Sequence, residues 1–267
     1  MNVAGKVIVV TGGGNGIGRQ VVLECVRRGA RVAAVDISPE GLDATVELAG
    51  AGDRIATFAV DITDRAAVDA LPQRVEDALS PADGLIHVAG IIQPFVRVVD
   101  LDLESIERVV NVNLYGTIHM VKAFLPVLLE RPEAHLANVS SMGGYLPVPG
   151  QTIYGATKAA VRLLTEGLYA ELLETSVGVT LVFPGAVSTD ITANSGVDVP
   201  GGAAAEGGAS FPTTSAEDAG RMIVDGIEAD KFHVFVGRDA RLMNLANRLA
   251  PRRSTHLIQS KMKDLLD

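Results

Sequence analysis

The sequence predicts a single α/β domain in which helices cover both faces of a doubly wound sheet of seven parallel strands. Short runs of β-branched residues alternate along the chain with helical segments, and this alternation is typical of parallel βαβ units. The runs are almost wholly apolar, as expected for strands that are buried on both sides. No linker interrupts the pattern, so one domain over residues 1–267 is predicted.

The seven predicted strands are these apolar runs. In chain order they are Lys6–Val10, Arg31–Val35, Ile55–Val60, Leu85–Val88, Leu136–Val139, Val179–Phe183 and His233–Val236. The predicted helices lie between them, and the first three carry apolar residues at three- and four-residue spacing. The helices are Gly16–Arg28, Pro39–Ala49, Asp64–Leu79, Leu103–Glu130 and Ile153–Glu174.

Charge and cysteine content exclude several classes of function. The formal net charge of -9 argues against a nucleic-acid partner, because binding phosphates needs a basic surface. The single cysteine, Cys25, excludes a disulfide framework and a cysteine-ligated metal centre, and it fits a reducing cytoplasm. The histidines show no ligand spacing, and no segment looks like a membrane span or an export signal. We therefore expect a cytoplasmic protein without a metal site, a membrane span or a nucleic-acid partner.

A glycine-rich turn, Thr11–Gly18, joins the first predicted strand to the first helix. Glycines at such a turn let the backbone approach a diphosphate closely, and the N-terminus of the helix supplies N–H donors. The turn lacks the Gly-Lys-Ser/Thr ending of a nucleotide triphosphatase loop. It therefore predicts a dinucleotide-binding domain of the Rossmann type, whose cofactor contacts include Gly12, Asn15, Gly16, Ile17 and Gly18.

Asp36 ends the second predicted strand, where a dinucleotide fold places the hydroxyls of the adenosine ribose. A 2′-phosphate would meet its negative charge, and no Arg or Lys adjoins it in Val35-Asp36-Ile37-Ser38. NAD is therefore the predicted cofactor, with Asp36 and Ile37 among its contacts. The alternative reading, a helix cap, is weaker because Ser38 stands directly before Pro39 and already serves as the cap.

Tyr154 and Lys158 are four residues apart on a predicted helix, so their side chains share a face, and Ser141 follows a predicted strand. A tyrosine is a poor base at neutral pH, but the charges of Lys158 and of a nicotinamide ring are expected to lower the pKa of Tyr154. Tyr154 then takes the hydroxyl proton of an alcohol as a hydride leaves, while Ser141 holds the oxygen. The three residues predict a dehydrogenase.

Together these motifs resemble the short-chain dehydrogenase/reductase family over about residues 3 to 240. The resemblance implies that Ser141, Tyr154 and Lys158 are catalytic. It also implies that Asn113, which precedes a helix kink in Asn111–Gly116, holds a water that relays protons from Lys158. Asn111 is the rival for this role, but two residues along a helix point in different directions.

The resemblance implies further cofactor contacts along the chain. Asp61 and Ile62 stand at the adenine, Tyr154 and Lys158 near the nicotinamide end, and Val187 and Thr189 at the carboxamide. The full set that we add on this basis is Asp61, Ile62, Ala89, Gly90, Tyr154, Lys158, Pro184, Gly185, Val187 and Thr189. One departure is His87-Val88 before Ala89-Gly90, where the family usually has two asparagines; we interpret His87 as structural.

The substrate is predicted only by class. The residues expected to line its pocket are mostly apolar, and they are Ile92, Pro94, Met142, Gly143, Leu146, Gln151 and Ala186. They favour a hydrophobic secondary alcohol or its ketone. The main alternative is a non-catalytic NAD-sensing regulator on the same fold. A methyltransferase leaves Ser141, Tyr154 and Lys158 unexplained, and a serine hydrolase lacks its Gly-x-Ser-x-Gly turn.

Three expectations concern assembly and the late part of the chain. The helix Ile153–Glu174 is apolar around most of its circumference, which favours a homodimer or homotetramer. The Gly- and Ala-rich stretch at about 190–215 is predicted to be a flexible lid. From 238 to 267 the chain holds seven Lys or Arg against three Asp. Two apolar stripes, Leu242, Leu245 and Leu249 and then Ile258, Met262 and Leu265, are expected to pack against the acidic body or a neighbouring subunit near the lid and to help close the substrate pocket. A solvated helix and a membrane contact are the alternatives.

Overall fold

The computed structural model describes residues 1–197 and 213–262. Within them the strands are β1 Val7–Thr11, β2 Arg31–Asp36, β3 Ile55–Ala59, β4 Gly84–His87, β5 Ala134–Val139, β6 Val177–Pro184, β7 Val187–Ser188, β8 Thr214–Ser215 and β9 His233–Val236. The helices are α1 Gly16–Arg27, α2 Pro39–Ala49, α3 Arg65–Asp69, α4 Leu71–Ala78, α5 Leu103–Val110, α6 Gly116–Leu129, α7 Thr152–Leu172, α8 Ile191–Ser195, α9 Ala216–Glu228, α10 Arg238–Leu249 and α11 Pro251–Met262.

The main sheet has seven parallel strands in the order β3-β2-β1-β4-β5-β6-β9. This confirms the predicted class. The strand order reverses between β1 and β4, and the two connections leave from opposite faces there. In an open sheet of this kind the carboxyl ends of the strands at the reversal frame the ligand crevice. A small parallel pair, β7 with β8, was not predicted from the sequence.

Two apolar layers fill the space between the sheet and its helices. On one face, Cys25 of α1 and Ile223 of α9 lie in the cluster that contains Ile8 of β1. On the other face, Val75 of α4 and Phe124 of α6 lie in the cluster that contains leucines and valines of β4, β5 and β6. The sequence analysis missed α9, although its buried residues complete the first layer.

Two of the predicted helices are each divided in the structure. The predicted helix Asp64–Leu79 breaks at Ala70, because Pro72 in the first turn of α4 has no N–H to donate back into α3. The predicted helix Leu103–Glu130 consists of α5, a π turn at Asn111–Tyr115 and α6. Apolar spacing continues through the π turn, so the periodicity could not reveal it.

By length and composition, one helical run in the described part of the chain could cross a membrane. It is Leu103–Leu129, with a mean hydropathy of 1.3 over its best window. The π turn divides this run, and Met120, Phe124 and Leu128 of its second half are fully buried in the core of the domain. A core helix of a soluble domain has the same composition, so the run is weak evidence for a span.

The carboxyl-terminal helices pack beside the segment that follows β5. Met243 of α10 and Ile258 of α11 form a third apolar cluster with Leu146. Leu242, Leu245 and Leu249 do not pack against the body of this chain, because all three are more than half exposed and α10 turns Ala240 and Met243 inward. Their contact with a neighbouring subunit stays a prediction. Ile258 and Met262 of the second stripe pack beside Leu146, and Leu265 lies outside the described residues. Of the predicted lid, residues 198–212 lie outside the described part of the chain.

Candidate active site

A cleft of about 630 Å³ opens at the carboxyl ends of β1, β2 and β4. Its walls are the glycine-rich turn, the end of β2, the segments after β3 and β4, and part of α8. Most of the predicted cofactor contacts line it. They are Gly12, Asn15, Gly16, Ile17, Gly18, Asp36, Ile37, Asp61, Ile62, Ala89, Gly90 and Thr189.

The glycine-rich turn is too tight for side chains at two of its positions. A Cβ on Gly18 would overlap the carbonyl of Gly12, and one on Gly14 would lie 2.9 Å from the carboxyl carbon of Asp36. Gly12 has a φ of 69°, a left-handed conformation that favours glycine. Asn15 caps α1, since its Oδ1 accepts from Gly16 N at 2.7 Å. A diphosphate fits this bare backbone at the N-terminus of α1.

The Asp36 carboxylate, at the end of β2 in the wall of the cleft, is held by two backbone groups. Gly14 N donates to Oδ2 at 2.9 Å and Ser38 N donates to Oδ1 at 3.0 Å. Both oxygens keep lone pairs for a ligand, because a carboxylate accepts about four hydrogen bonds. Ser38 caps α2 by accepting from Gly41 N at 3.0 Å, as the sequence predicted. Ser38, and not Asp36, is therefore the N-cap of α2.

Arg19 also lines the cleft, and sequence reasoning missed it. It lies seventeen residues before Asp36 in the chain, so inspection of the neighbours of Asp36 could not find it. Its Nε donates to Thr45 Oγ1 at 3.0 Å, and its Nη2 donates to the carbonyl of Gly14. The guanidinium thus ties the glycine-rich turn to α2. The presence of an arginine after the last glycine of the turn was the available signal.

Asn113 is buried, whereas Asn111 is exposed at the rim of the cleft. The Asn113 carboxamide forms a pair of bonds with the backbone after β4: Oδ1 accepts from Ile91 N and Nδ2 donates to Ile91 O, both at 2.9 Å. Nδ2 also donates to Thr157 Oγ1 of α7 at 3.1 Å. Asn113 therefore joins the segment after β4 to α7, the helix that carries Tyr154.

Lys158 lies against Gly90 of the cleft. A Cβ on Gly90 would stand 2.9 Å from Lys158 Nζ and 3.2 Å from Asn113 Oδ1, so the glycine keeps space for both groups. The ammonium donates to the carbonyl of Val139 at 3.1 Å. Burial lowers the pKa of Lys158 to about 8, because the low-dielectric surroundings disfavour its charge.

Ser141 and Tyr154 meet at Gly143. The Ser141 hydroxyl accepts from Gly143 N at 3.0 Å, and a Cβ on Gly143 would stand 3.3 Å from the Tyr154 ring and 3.5 Å from Ser141 Oγ. Burial raises the pKa of Tyr154, and the bond from Ser141 opposes that shift. In the cofactor-free protein the pKa of Tyr154 is thus raised, because removal of the ring from water outweighs the groups that favour the phenolate. The expected lowering depends on the charge of a bound nicotinamide ring and stays a prediction.

His87 occupies the centre of the sheet and contacts Thr11, not a ligand. Val88 N and Ala89 N donate to Thr11 Oγ1 at 3.0 and 3.1 Å, so the hydroxyl donates to His87 Nδ1 at 2.9 Å. The proton of the neutral ring is then on Nε2. Burial, with a smaller effect from the charge of Lys158, lowers the pKa of His87 to about 3. This is a structural role, as the sequence suggested.

The segment after β6 reaches the cleft only in part. Thr189 lines it and approaches the Cβ position of Gly16, whereas Pro184, Gly185 and Val187 lie outside its lining. Gly185 packs directly on the Asp239 carboxylate, which accepts from Ala186 N at 2.8 Å. The predicted contacts of those three residues stay predictions.

Several predicted substrate residues gather beside Ser141. Leu146 is fully buried and Met142 packs on the same cluster, which α10 and α11 complete with Met243 and Ile258. Tyr145 Oη donates to the carbonyl of Ala240 at 2.6 Å, which holds this segment to α10. Ile92 and Gln151 are also buried. The residues 1–197 and 213–262 contain no group of three His, Cys, Asp or Glu that could hold a metal ion.

Comparison with known proteins gives a consistent result. A family model described as short chain dehydrogenase matches residues 6–199. A Mycobacterium tuberculosis protein named as an oxidoreductase, SadH, is 34% identical over 253 residues, covering 92% of this chain and 91% of that protein. A Staphylococcus aureus protein described as an uncharacterized oxidoreductase is 35% identical over 188 residues, covering 70% of this chain and 80% of its own.

Two solved structures share the architecture. A short-chain dehydrogenase/reductase from Burkholderia phymatum in complex with NAD superposes with a TM-score of 0.82 at 26% identity, covering 93% of this chain and 96% of that chain. A short chain dehydrogenase from Burkholderia cenocepacia in complex with NADP superposes with a TM-score of 0.81 at 27% identity, covering 97% and 99%. The two similar structures thus hold different nicotinamide dinucleotides.

Proposed function

Because this chain belongs to the short-chain dehydrogenase family of oxidoreductases, we propose that it transfers a hydride between NAD and a hydrophobic secondary alcohol or its ketone. The observation that carries the proposal is that Ser141 and Tyr154 lie together at Gly143, one helical turn from Lys158, whose Nζ lies against Gly90 of the cleft. No observation favours the alternative of a non-catalytic NAD-sensing protein.

The proposed chemistry divides between the cofactor and four side chains. A bound nicotinamide dinucleotide supplies the hydride acceptor. Tyr154 takes the hydroxyl proton of the alcohol, and Ser141 donates a hydrogen bond to the oxygen on which charge develops. Lys158, with a pKa of about 8, exchanges a proton close to neutral pH. Asn113, which faces Gly90 together with Lys158, holds a water that passes this proton to solvent.

The choice of NAD rests on the charge at the adenosine end. The Asp36 carboxylate lines the cleft and would repel a 2′-phosphate. Arg19, which also lines the cleft, donates to Gly14 O and Thr45 Oγ1, so its guanidinium takes part in holding the glycine-rich turn to α2. We therefore propose that the ribose hydroxyls bind Asp36.

The choice of substrate rests on the apolar groups beside Ser141. Met142, Leu146, Met243 and Ile258 form one cluster there. A hydrophobic substrate gains free energy by leaving water for such a site, at roughly 25 cal/mol per Å² of apolar area buried. Met side chains adapt to irregular ligands, which suits a range of ring and chain alcohols.

The experiment that tests the proposal is a dehydrogenase screen. NAD and NADP are each offered with steroid, cyclic, aliphatic and polyol alcohols, and reduction of the cofactor is followed by absorbance. Turnover of a hydrophobic secondary alcohol with NAD, lost in Tyr154→Phe while NAD still binds, is the expected result. Binding of NAD with no turnover of any alcohol would instead support the sensing alternative.

Assembly and location are part of the same proposal. An apolar groove of about 400 Å³ runs between α6 and α7, and Leu163 beside it is 70% exposed. A second copy of this chain is the proposed occupant, because the same helix face on a partner would cover it around a two-fold axis. The resulting homodimer or homotetramer, and a cytoplasmic location, stay predictions.

A further inference from the structure

Helix α7 begins without a local cap, although it carries both Tyr154 and Lys158. Gln151 stands at its N-cap position and makes no side-chain capping bond. The first N–H groups of a helix have no partner inside the helix, so a buried start needs an acceptor from elsewhere. Ile153 N and Tyr154 N are two of these groups.

Gln93, from the segment after β4, supplies that acceptor. Its Oε1 accepts from Ile153 N at 2.8 Å and from Tyr154 N at 2.9 Å. The side chain is fully buried, and Gln151 Nε2 donates to the Gln93 carbonyl at 2.7 Å. One buried oxygen therefore holds the backbone of the first turn of α7, sixty residues away in the chain at Ile153 and sixty-one at Tyr154.

The same short segment touches the cofactor cleft and α8. Ile91 lines the cleft and is bonded on both sides to Asn113. Ile92 N donates to Ser195 Oγ of α8 at 3.0 Å. The residues Ile91–Gln93 thus link the wall of the cleft, the helix at the cleft's edge and the first turn of α7.

Packing alone does not explain a glutamine at this position. The Nε2 group of Gln93 is a buried donor that finds no partner among the described residues. Burying such a group without a partner is costly, and a methionine or leucine would fill the space without that cost. The contribution of the carboxamide is its oxygen, which accepts hydrogen bonds from two N–H groups of α7.

We propose that Gln93 is a positioning residue that fixes the phenol of Tyr154 against Ser141 and the cofactor cleft by holding the first turn of α7. The inference rests on the proposed function, since it concerns Tyr154, the proposed general acid–base residue. Gln93 is fully buried and does not line the cleft. It acts through the backbone of Tyr154, so its loss affects the chemical step more than the binding of NAD.

The test compares Gln93→Met, Gln93→Glu and the control Gln73→Met, whose parent residue is exposed on α4. Gln93→Met keeps the size and removes the acceptor; kcat is expected to fall at least about tenfold, with Kd for NAD within twofold of the parent. Gln93→Glu keeps the acceptor; kcat at its pH plateau is expected within about threefold. Its negative charge should raise the titration midpoint of Tyr154 by about 1 pH unit.

The midpoint is read in the cofactor-free protein by ultraviolet difference titration of tyrosinate against Tyr154→Phe, so this arm does not depend on turnover. A Gln93→Met that lowers only Tm, with kcat equal to that of Gln73→Met, would overturn the proposal. If Gln93→Met does not fold, an unchanged Tyr154 midpoint in Gln93→Glu overturns it. If the parent turns over no alcohol, the proposed function fails. The Tyr154 titration midpoint of Gln93→Glu still tests whether Gln93 acts on Tyr154.

Discussion

Two buried histidines are expected to make the stability of this protein fall steeply in mild acid. His87 is buried between Thr11 and Lys158, and its pKa is lowered to about 3; His135 is buried on β5, and its pKa is lowered to about 4, also mainly by burial. In the unfolded chain both rings titrate near about 6.5. The unfolded state therefore binds more protons below that pH, and stability is lost as the pH falls.

The magnitude follows from the size of the shifts. One pKa unit corresponds to about 1.4 kcal/mol, so between about pH 6.5 and about pH 5 each histidine removes about 2 kcal/mol from the free energy of unfolding. The loss continues for His87 down to its folded pKa of about 3. Together the two rings cost about 4 kcal/mol at about pH 5, a large share of a typical total of about 5–15 kcal/mol.

The assay is urea unfolding of the cofactor-free protein, followed by circular dichroism at about pH 7 and at about pH 5. His87→Asn keeps an acceptor for the Thr11 hydroxyl and removes the titrating ring. It should reduce the difference between the two pH values by about 2 kcal/mol. The matched control is His256→Asn, on the exposed side of α11. Equal pH dependence in His87→Asn and the parent would refute the reasoning that His87 is buried and neutral.

Three further outcomes are expected. The kcat/KM measured with NAD should be about thirtyfold higher than that measured with NADP, and Asp36→Ala should remove most of this preference. Equal kcat/KM with the two cofactors in the parent would contradict the role of Asp36. Deleting residues 252–267 takes Ile258 from the cluster at Leu146, so KM for a hydrophobic alcohol should rise while Kd for NAD is kept, as measured by initial rates and titration. Leu163→Asp on the exposed face of α7 should lower the mass seen by light scattering from a dimer or larger to a monomer, and a monomeric parent would contradict the proposed assembly.

The sequence by itself determined the sheet and the position of the cofactor cleft. Runs such as Val7–Val10 are apolar at every position because both faces of a parallel strand are buried, and this pattern is local. The glycine-rich turn Thr11–Gly18 can also be predicted from local sequence. All its glycines fall within eight consecutive residues, where the tight turn leaves no space for side chains. The sequence also determined that Tyr154 and Lys158 share a helix face, because both lie on α7 and are four residues apart.

Only the tertiary structure decided what surrounds these residues. Gln93 caps α7, and Arg19 donates to Thr45 of α2, through contacts between segments that are well separated in the chain. The upward pKa shift of Tyr154 comes from burial, which depends on how α7 packs and not on the neighbouring Lys158 in the sequence. Periodicity and motifs report neighbours within a few residues, whereas capping, burial and charge depend on groups that folding brings together.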